Sequence, residues 1–368
     1  MRLHWVFSTF AIGGPQRRFA ALAHAMGEEA EHFITAMDGC YTAESLLDGV
    51  PSCQRHEVEV QKTGFISPGN VKRFRASLNE VDADLLLTSN WGTIEWTLAN
   101  TRAKPMPHLH FEDGFGPDEA LGKWNWKRDL ARRFLFSRIF SGRGRLHFVC
   151  PSHLLLDRFM SDWEVGEHRV HLIPNGVELE AFRLPPPPSR PFTIGTVGAM
   201  RAEKRFDRLI EVFARLRAQL DAKLLIVGDG PERASLEELA AKMGVTDSIE
   251  FPGMREDIPA QLAKMDVFAL TSDTEQMPIS LVEAMAASLP AVTTDVGDIR
   301  LILPSECYWL IHGTEDIDAM TGTLLRLAKD ENLRHQMGAA NRLRAEASYG
   351  LDGMVDAYRK LITSLIKK

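Results

Sequence analysis

Short apolar runs alternate with amphipathic stretches along the whole chain, the pattern of strand–helix units laid around parallel sheets. In the first half the runs LHWVFSTF, DLLLTSN, MPHLHF, LHFVCPS and VHLIPNG read as strands, and PQRRFAALAHAMGEEA reads as a helix between two of them. In the second half FTIGTVG, AKLLIVGDG, SIEFPGM, VFALTS and AVTTDVG read as strands. They alternate with the helical stretches EKRFDRLIEVFARLRAQL, ERASLEELAAKMG, IPAQLAKM and ISLVEAMAASL. One architecture occurs twice without a visible sequence repeat.

Between the halves lies FRLPPPPSRPF, whose prolines can neither continue a helix nor enter a central strand. It reads as a stiff linker, with residues 1–182 before it and 183–349 after it. Near the end Tyr358, Leu361, Ile362 and Leu365 fall at helical spacing. A terminal helix over 350–368 is expected to pack back on the first domain.

With 368 residues the chain can bury two cores of ordinary size, and 45% apolar with 25% charged residues is the composition of a globular protein. A net charge of −7 gives no support to nucleic-acid binding. Cys40, Cys53, Cys150 and Cys307 are scattered, with neither a disulfide nor a zinc spacing. A reduced, cytoplasmic protein is expected. The opening MRLHWVFSTFAIGG is too short and too broken by Ser8 and Thr9 for a signal peptide, and no run is long enough to cross a bilayer.

Four places carry chemistry. STFAIGGPQRRF ends a strand, turns on two glycines including Gly14, and starts a helix with arginines in it. Such a turn holds an anion or lets a ligand approach the backbone, although G-x-G-x-x-G is absent. TVGAMRAEKRF puts Arg201, Lys204 and Arg205 between a strand and a helix, where a pyrophosphate would lie in a doubly wound domain. TEQMPISLVEAMAASLP sets Glu275 in the loop before an apolar helix and Glu283 within it. PMPHLHFEDGFG ends a strand in His108, His110, Glu112 and Asp113; two histidines at i, i+2 without further ligands are a poor zinc signature. Solvated loop charges and helix-terminal acids are the bland reading of the same residues.

Taken together and in order, TVGAMRAEKRFDRLIEVF, LLIVGDGPER, FPGMREDIP, TSDTEQMPISLVEAMAASLPAVTTDVGD and IPNGVE resemble the retaining GT-B glycosyltransferases that include sucrose synthases and phosphatidylinositol mannosyltransferases. The resemblance is strong over the second half and thinner over the first. It implies an α/β GT-B fold, two doubly wound Rossmann-like domains facing each other across a cleft. It implies transfer of a hexose from a UDP- or GDP-linked sugar to a hydroxyl of a glycan or lipid-linked glycan, with retention and with neither cofactor nor metal.

Residue by residue, Glu283 resembles the glutamate that holds the ribose, Glu275 the one near the donor sugar, and Lys204 the pyrophosphate lysine. Met254 and Arg255 match the loop around the base. The backbone of Met277, Pro278 and Ile279 opens a helix toward sugar or phosphate oxygens. His110, or His108 on the same side of the strand, resembles the active-site histidine. Two departures stand out. Ala199 occupies the place of the family's arginine, a charge that Arg201 would supply, and Gln276 replaces the glycine after the first glutamate.

A nucleotide-sugar epimerase and a catalytically silent binding protein are the alternatives; intact Glu275, Glu283 and Lys204 favour the transferase. Residues 123–145, with eight basic residues, one acidic and five aromatics, are a candidate for peripheral contact with the inner face of a membrane. A polysaccharide or glycolipid pathway is the setting this resemblance implies.

Overall fold

The structure, a computed structural model, describes residues 1–61, 66–101, 105–114, 126–139, 145–186 and 190–367. The chain forms two compact units. Among the described residues the first holds 1–114, 126–175 and 352–367, and the second holds 176–351.

The first unit is built on β1 (Arg2–Phe7), β2 (Glu31–Ala36), β3 (Cys53–Arg55), β4 (Leu85–Ser89), β5 (His108–Phe111), β6 (Leu146–Cys150) and β7 (Val170–Leu172). Their order in the sheet is β3-β2-β1-β4-β5-β6-β7, all parallel. The second unit repeats the plan with β8 (Phe192–Val197), β9 (Ala222–Val227), β10 (Ile249–Gly253), β11 (Val267–Leu270), β12 (Ala291–Thr294) and β13 (Ile311–His312). Its order is β10-β9-β8-β11-β12-β13, again parallel. In each unit the strand order reverses beside the first strand, at β1/β4 and at β8/β11. That reversal opens the crevice in which ligands of doubly wound sheets bind.

The second unit shows why its strands read as continuous apolar runs. Leu224, Ile226, Val267, Ala269 and Val292 point into one core, and Leu225, Val227, Phe268, Leu270 and Ala291 into another. Both faces of the sheet are covered, so alternation disappears from the sequence. The Phe206–Arg217 helix lays Phe206, Leu209, Ile210, Val212, Phe213 and Leu216 on the first of these cores.

The chain passes between units ahead of the prolines. Residues 176–182, expected with the first domain, pack in the second: Val177 exchanges main-chain hydrogen bonds with Tyr349 and Leu351, and Phe182 is buried with Leu281 and Tyr349. The terminal helix, Leu351–Ile366, buries Tyr358, Leu361, Ile362 and Leu365. Tyr358 stacks on Phe111 of the first unit with ring centroids 5.7 Å apart.

Buried histidines tie the first sheet together. His4 bonds Thr35 Oγ1 through Nε2 at 2.9 Å, and Trp5 Nε1–H donates to His32 Nδ1 at 3.1 Å. Burial pushes His4 down to about 3 and His32 down to about 4. Both are neutral in the fold near neutral pH, while in the unfolded chain they take protons below about pH 6.5. Stability is therefore full above that value and is lost as pH falls toward 4. Each of the two should cost about 1.4 kcal/mol per pH unit over this window. Urea unfolding between pH 7 and 5 measures it, and a stability that holds flat or rises on acidification contradicts this account.

Candidate active site

In the second unit the site is assembled at the carboxyl ends of β8 to β12. After β8 the chain turns through Gly198, Ala199, Met200 and Arg201 into a short 3-10 turn, Ala202–Lys204. Met200 is buried, whereas Ala199 and Arg201 on either side of it are exposed. Arg201 N–H donates back to Ala199 O at 2.8 Å, so the two exposed residues flank a tight turn on Met200. The turn is clamped by the loop after β9: Gly198 N–H donates to Val227 O and Met200 N–H to Asp229 O, both at 2.9 Å. A Cβ on Gly228 would lie 2.0 Å from Gly198 O, and one on Gly230 would lie 2.5 Å from Met200 O. The glycines of VGDG are there because two main chains cross in contact.

Glu275 follows β11 and is only 7% exposed. Its Oε1 accepts from Lys204 Nζ at 2.6 Å and from Ser272 Oγ at 2.7 Å. The loop is seated on the turn after β12, where Gly297 has φ +54° and a Cβ would stand 2.0 Å from Glu275 O. Asp298 N–H donates to Gln276 O at 3.2 Å. Met277 and Pro278 are buried, and Pro278 forms the N-cap of the Ile279–Ala286 helix. Leu281, Val282, Ala284, Met285 and Ala286 face the core of this helix, which leaves Ile279, Ser280 and Glu283 on its half-buried side.

Met254 and Arg255 are exposed just after β10. They are tied to the clamp through Gly253, whose carbonyl accepts from Gly228 N–H at 3.0 Å. The structure therefore brings Lys204 and Glu275 into direct contact. Arg201, Met254, Arg255, Met277 and Pro278 stand on neighbouring loops at the carboxyl ends of the same sheet, with Ile279 and Glu283 on the helix that follows.

The first unit has its own strand-end cluster. Gly14 opens the Gly14–Met26 helix, with Gly13 as an extended N-cap. Of the two arginines that follow, Arg17 is exposed and Arg18 is buried. Arg18 Nη2 donates to Asp113 Oδ2 at 3.0 Å, and its guanidinium lies 4.9 Å from the ring of Phe111 and 5.9 Å from that of Tyr358. Burial by itself would lower the guanidinium, but the neighbouring Asp113 carboxylate more than offsets this and holds it above its ordinary value.

His110 is wholly buried, as is His108. Thr88 Oγ1 bonds both, His108 Nε2 and His110 Nδ1, each at 2.7 Å. His110 Nε2 stands 3.4 Å from Glu112 Oε2, whose other oxygen accepts from Arg132 Nη2 at 3.0 Å. Burial holds His108 well below its ordinary range. The histidine that faces this carboxylate is His110.

Arg132 comes from the basic–aromatic segment, and its guanidinium is packed 5.4 Å from the Trp91 ring and 5.2 Å from that of Trp163. The opposite face of the same helix, Trp126–Arg133, leaves Trp126 and Leu130 more than half exposed, and Phe134 just beyond its end likewise. Residues 123–125 and 140–144 of this segment lie outside the described residues.

The pattern of charges in the sequence did not single out Arg18, Arg132, Ser272 or Asp273. A signal was available for Ser272, a hydroxyl three residues before an acid in a strand-end loop. For Arg18 no local signal exists, because its acceptor lies 95 positions away, whereas Arg132 has Asp129 three residues before it as well as the more distant Glu112.

Two parallel doubly wound units with loop clusters at their strand ends define the GT-B glycosyltransferase fold. The described backbone matches that of a glycosyltransferase from Rickettsia africae at a TM-score of 0.81, with 16% identity, covering 100% of this chain and 99% of the other. It matches HepE of Anabaena, solved in complex with UDP, at a TM-score of 0.79 with 17% identity, covering 99% and 100%. The chain belongs to the GT-B glycosyltransferases: residues 179–344 match the family Glycosyl transferases group 1, and residues 12–181 match Glycosyltransferase Family 4. Among curated relatives, N-acetyl-alpha-D-glucosaminyl L-malate synthase of Bacillus anthracis is 28% identical over 171 residues, 46% of this chain and 45% of the relative. The matched stretch spans about half the length of such relatives.

Proposed function

We propose that the protein transfers a hexose from a nucleotide sugar to a hydroxyl acceptor with retention at the anomeric carbon. The observation that carries this is the Lys204–Glu275 pair, fixed at the β8/β11 switch point beside the start of a helix whose half-buried side bears Glu283. Lys204 supplies a cation for a diphosphate. Arg201, exposed and without a side-chain partner among the described residues, supplies a second in the place of Ala199. Charge developing on the leaving diphosphate is what such cations stabilise.

Both hydrogen bonds to Glu275 fall on Oε1, so Oε2 is the oxygen offered to a sugar hydroxyl. A carboxylate such as Glu283 can accept from both hydroxyls of a ribose. Met254 and Arg255 flank the base. HepE has been solved with UDP and with UDP-glucose, which supports a UDP-linked donor here, with GDP as the second nucleotide to try. Retention follows if the acceptor attacks on the face the diphosphate leaves, with the departing phosphate taking the acceptor's proton. The hydroxyl oxygen bonds to the anomeric carbon as the carbon–phosphate oxygen bond breaks, and no covalent sugar–enzyme bond is required.

The first unit takes the acceptor, at the strand ends around Gly14, Asp113 and the His110–Glu112 pair. His110 and Glu112 are both wholly buried, 3.4 Å apart, and His110 is the candidate active-site histidine of the pair. A lipid-linked acceptor is consistent with Trp126, Leu130 and Phe134 standing out beside Lys127, a face suited to an anionic membrane surface. Among the described residues no helix is long and apolar enough to span a membrane.

Incubation with UDP- and GDP-sugars, with and without acceptor glycosides, tests the reading. Nucleotide release that depends on acceptor, with an anomeric proton coupling matching the donor, is expected. Conversion of the donor sugar without acceptor indicates an epimerase, binding without turnover a silent receptor, and a β-linked product from an α-donor removes retention.

A further inference from the structure

The turn that carries Lys204 and the loop that carries Glu275 are joined by more than that pair. Asp273 N–H donates to Glu203 O at 2.9 Å, and Thr271 Oγ1 donates to Arg205 O at 3.0 Å. Two arginines then converge on one carboxylate. Arg205 Nη1 donates to Asp273 Oδ2 at 3.0 Å, and Arg208 Nη2 donates to Asp273 Oδ1 at 2.7 Å. Arg208 also donates from Nη1 to Thr271 O at 2.6 Å.

Both arginines are anomalous where they stand. Arg208 has a side chain only 2% exposed, on a helix whose other buried side chains are apolar. A guanidinium so buried requires acceptors, and the loop after β11 supplies them. Arg205 has φ +49° and ψ +45°, a left-handed conformation that residues with a side chain adopt reluctantly. Its guanidinium is held by Asp207 as well as Asp273. Burial would raise the Asp273 carboxyl, but Arg208 and Arg205 together hold it below its ordinary value, so both ion pairs are intact near neutral pH.

We propose that Asp273 is a positioning residue that fixes, through Arg205 and Arg208, the turn bringing Lys204 against Glu275. Without that carboxylate Arg205 loses one anchor of its left-handed turn, and Lys204, which precedes it, shifts away from Glu275. Arg208 retains Thr271 O, so the helix itself stays seated. The kinetic consequence rests on the transferase reading; the geometric one does not.

The test compares Asp273→Ala, Asp273→Asn and the double variant Asp273→Ala/Arg205→Gly with the unaltered chain. Glycine adopts the left-handed conformation without an anchor, so the double variant separates positioning from a general loss of packing. Acylation of Lys204 by an amine-specific reagent, followed by peptide mass spectrometry, reads its pairing without any substrate. Turnover of UDP-glucose and affinity for UDP are read in parallel.

Asp273→Ala should raise the rate of Lys204 acylation several-fold. It should lower turnover about tenfold or more, because a small misplacement of a catalytic group is costly, while UDP affinity changes little. Asp273→Asn, which keeps an acceptor, falls between and carries the test if the alanine variant does not fold. Adding Arg205→Gly should recover most of both losses. Acylation unchanged in Asp273→Ala, or not recovered by Arg205→Gly, overturns the proposal. Acylation that behaves as expected in a chain that never releases UDP leaves the positioning role standing and removes the transferase reading.

Discussion

Lys204→Ala should lower the rate of sugar transfer by about a hundredfold or more, the scale seen when one preorganised charge-stabilising group is removed from an active site. Its ammonium is the group bonded at 2.6 Å to a carboxylate that is otherwise held by Ser272, at the point where a diphosphate would leave. Two losses combine: the cation facing the leaving group, and the counter-charge of the buried Glu275. Affinity for the bare nucleoside should scarcely change, because neither loss touches base or ribose. Nucleotide release under saturating donor, set beside calorimetric binding of uridine, separates the two. A variant that turns over at the unaltered rate, or loses uridine binding in step with turnover, would place the leaving group elsewhere, with Arg201 and Arg17 the next cations to test.

The two glutamates should give opposite phenotypes. If its carboxylate serves the sugar, as proposed, Glu275→Ala should cut turnover strongly with UDP affinity preserved. Glu283→Gln should weaken UDP binding by more than about tenfold, the loss of a charged hydrogen bond of about 1.5–3 kcal/mol. Helix-end electrostatics makes a different forecast: Glu275→Ala would lower stability by about 1 kcal/mol and leave kinetics alone. Since Glu275 bonds Lys204 and Ser272 rather than the helix's own N–H groups, that bland outcome is the one the geometry disfavours. A Glu275→Ala protein that melts lower yet turns over normally would restore it. Titration calorimetry with UDP and a melt of each variant suffice.

The second half was legible because its strands are buried on both faces and its motif residues are close in the chain to the loops they build. The first half was less so. β2 and β3 were missed: in EHFITA the buried His32 stands where a polar residue suggests solvent, and Cys53–Arg55 is three residues long. Arg17 and Arg18 look alike in sequence, yet one is exposed and the other is fully paired with Asp113. The acceptor that decides between them lies 95 positions away. Asp273 and Arg208 were overlooked for the same reason. An acid in a loop and an arginine in an amphipathic helix read as solvated until the fold brings them to 2.7 Å. The prolines drew the domain boundary too late because a linker was sought in composition. The chain instead leaves the first unit at Asn175, in a segment with no compositional mark.

The helix that closes the first unit comes from residues made after the whole of the second. On the ribosome, residues 1–175 must wait for residues 176–351 to be synthesised, about ten to thirty-five seconds at ordinary elongation rates. Through that interval Phe111 lacks its stacking partner Tyr358, and Arg18 lacks one of the two rings that flank its guanidinium. Among the described residues the second unit is one continuous stretch, 176–351, and can finish its core while the first is still open. Order of birth and order of completion are therefore reversed in this chain.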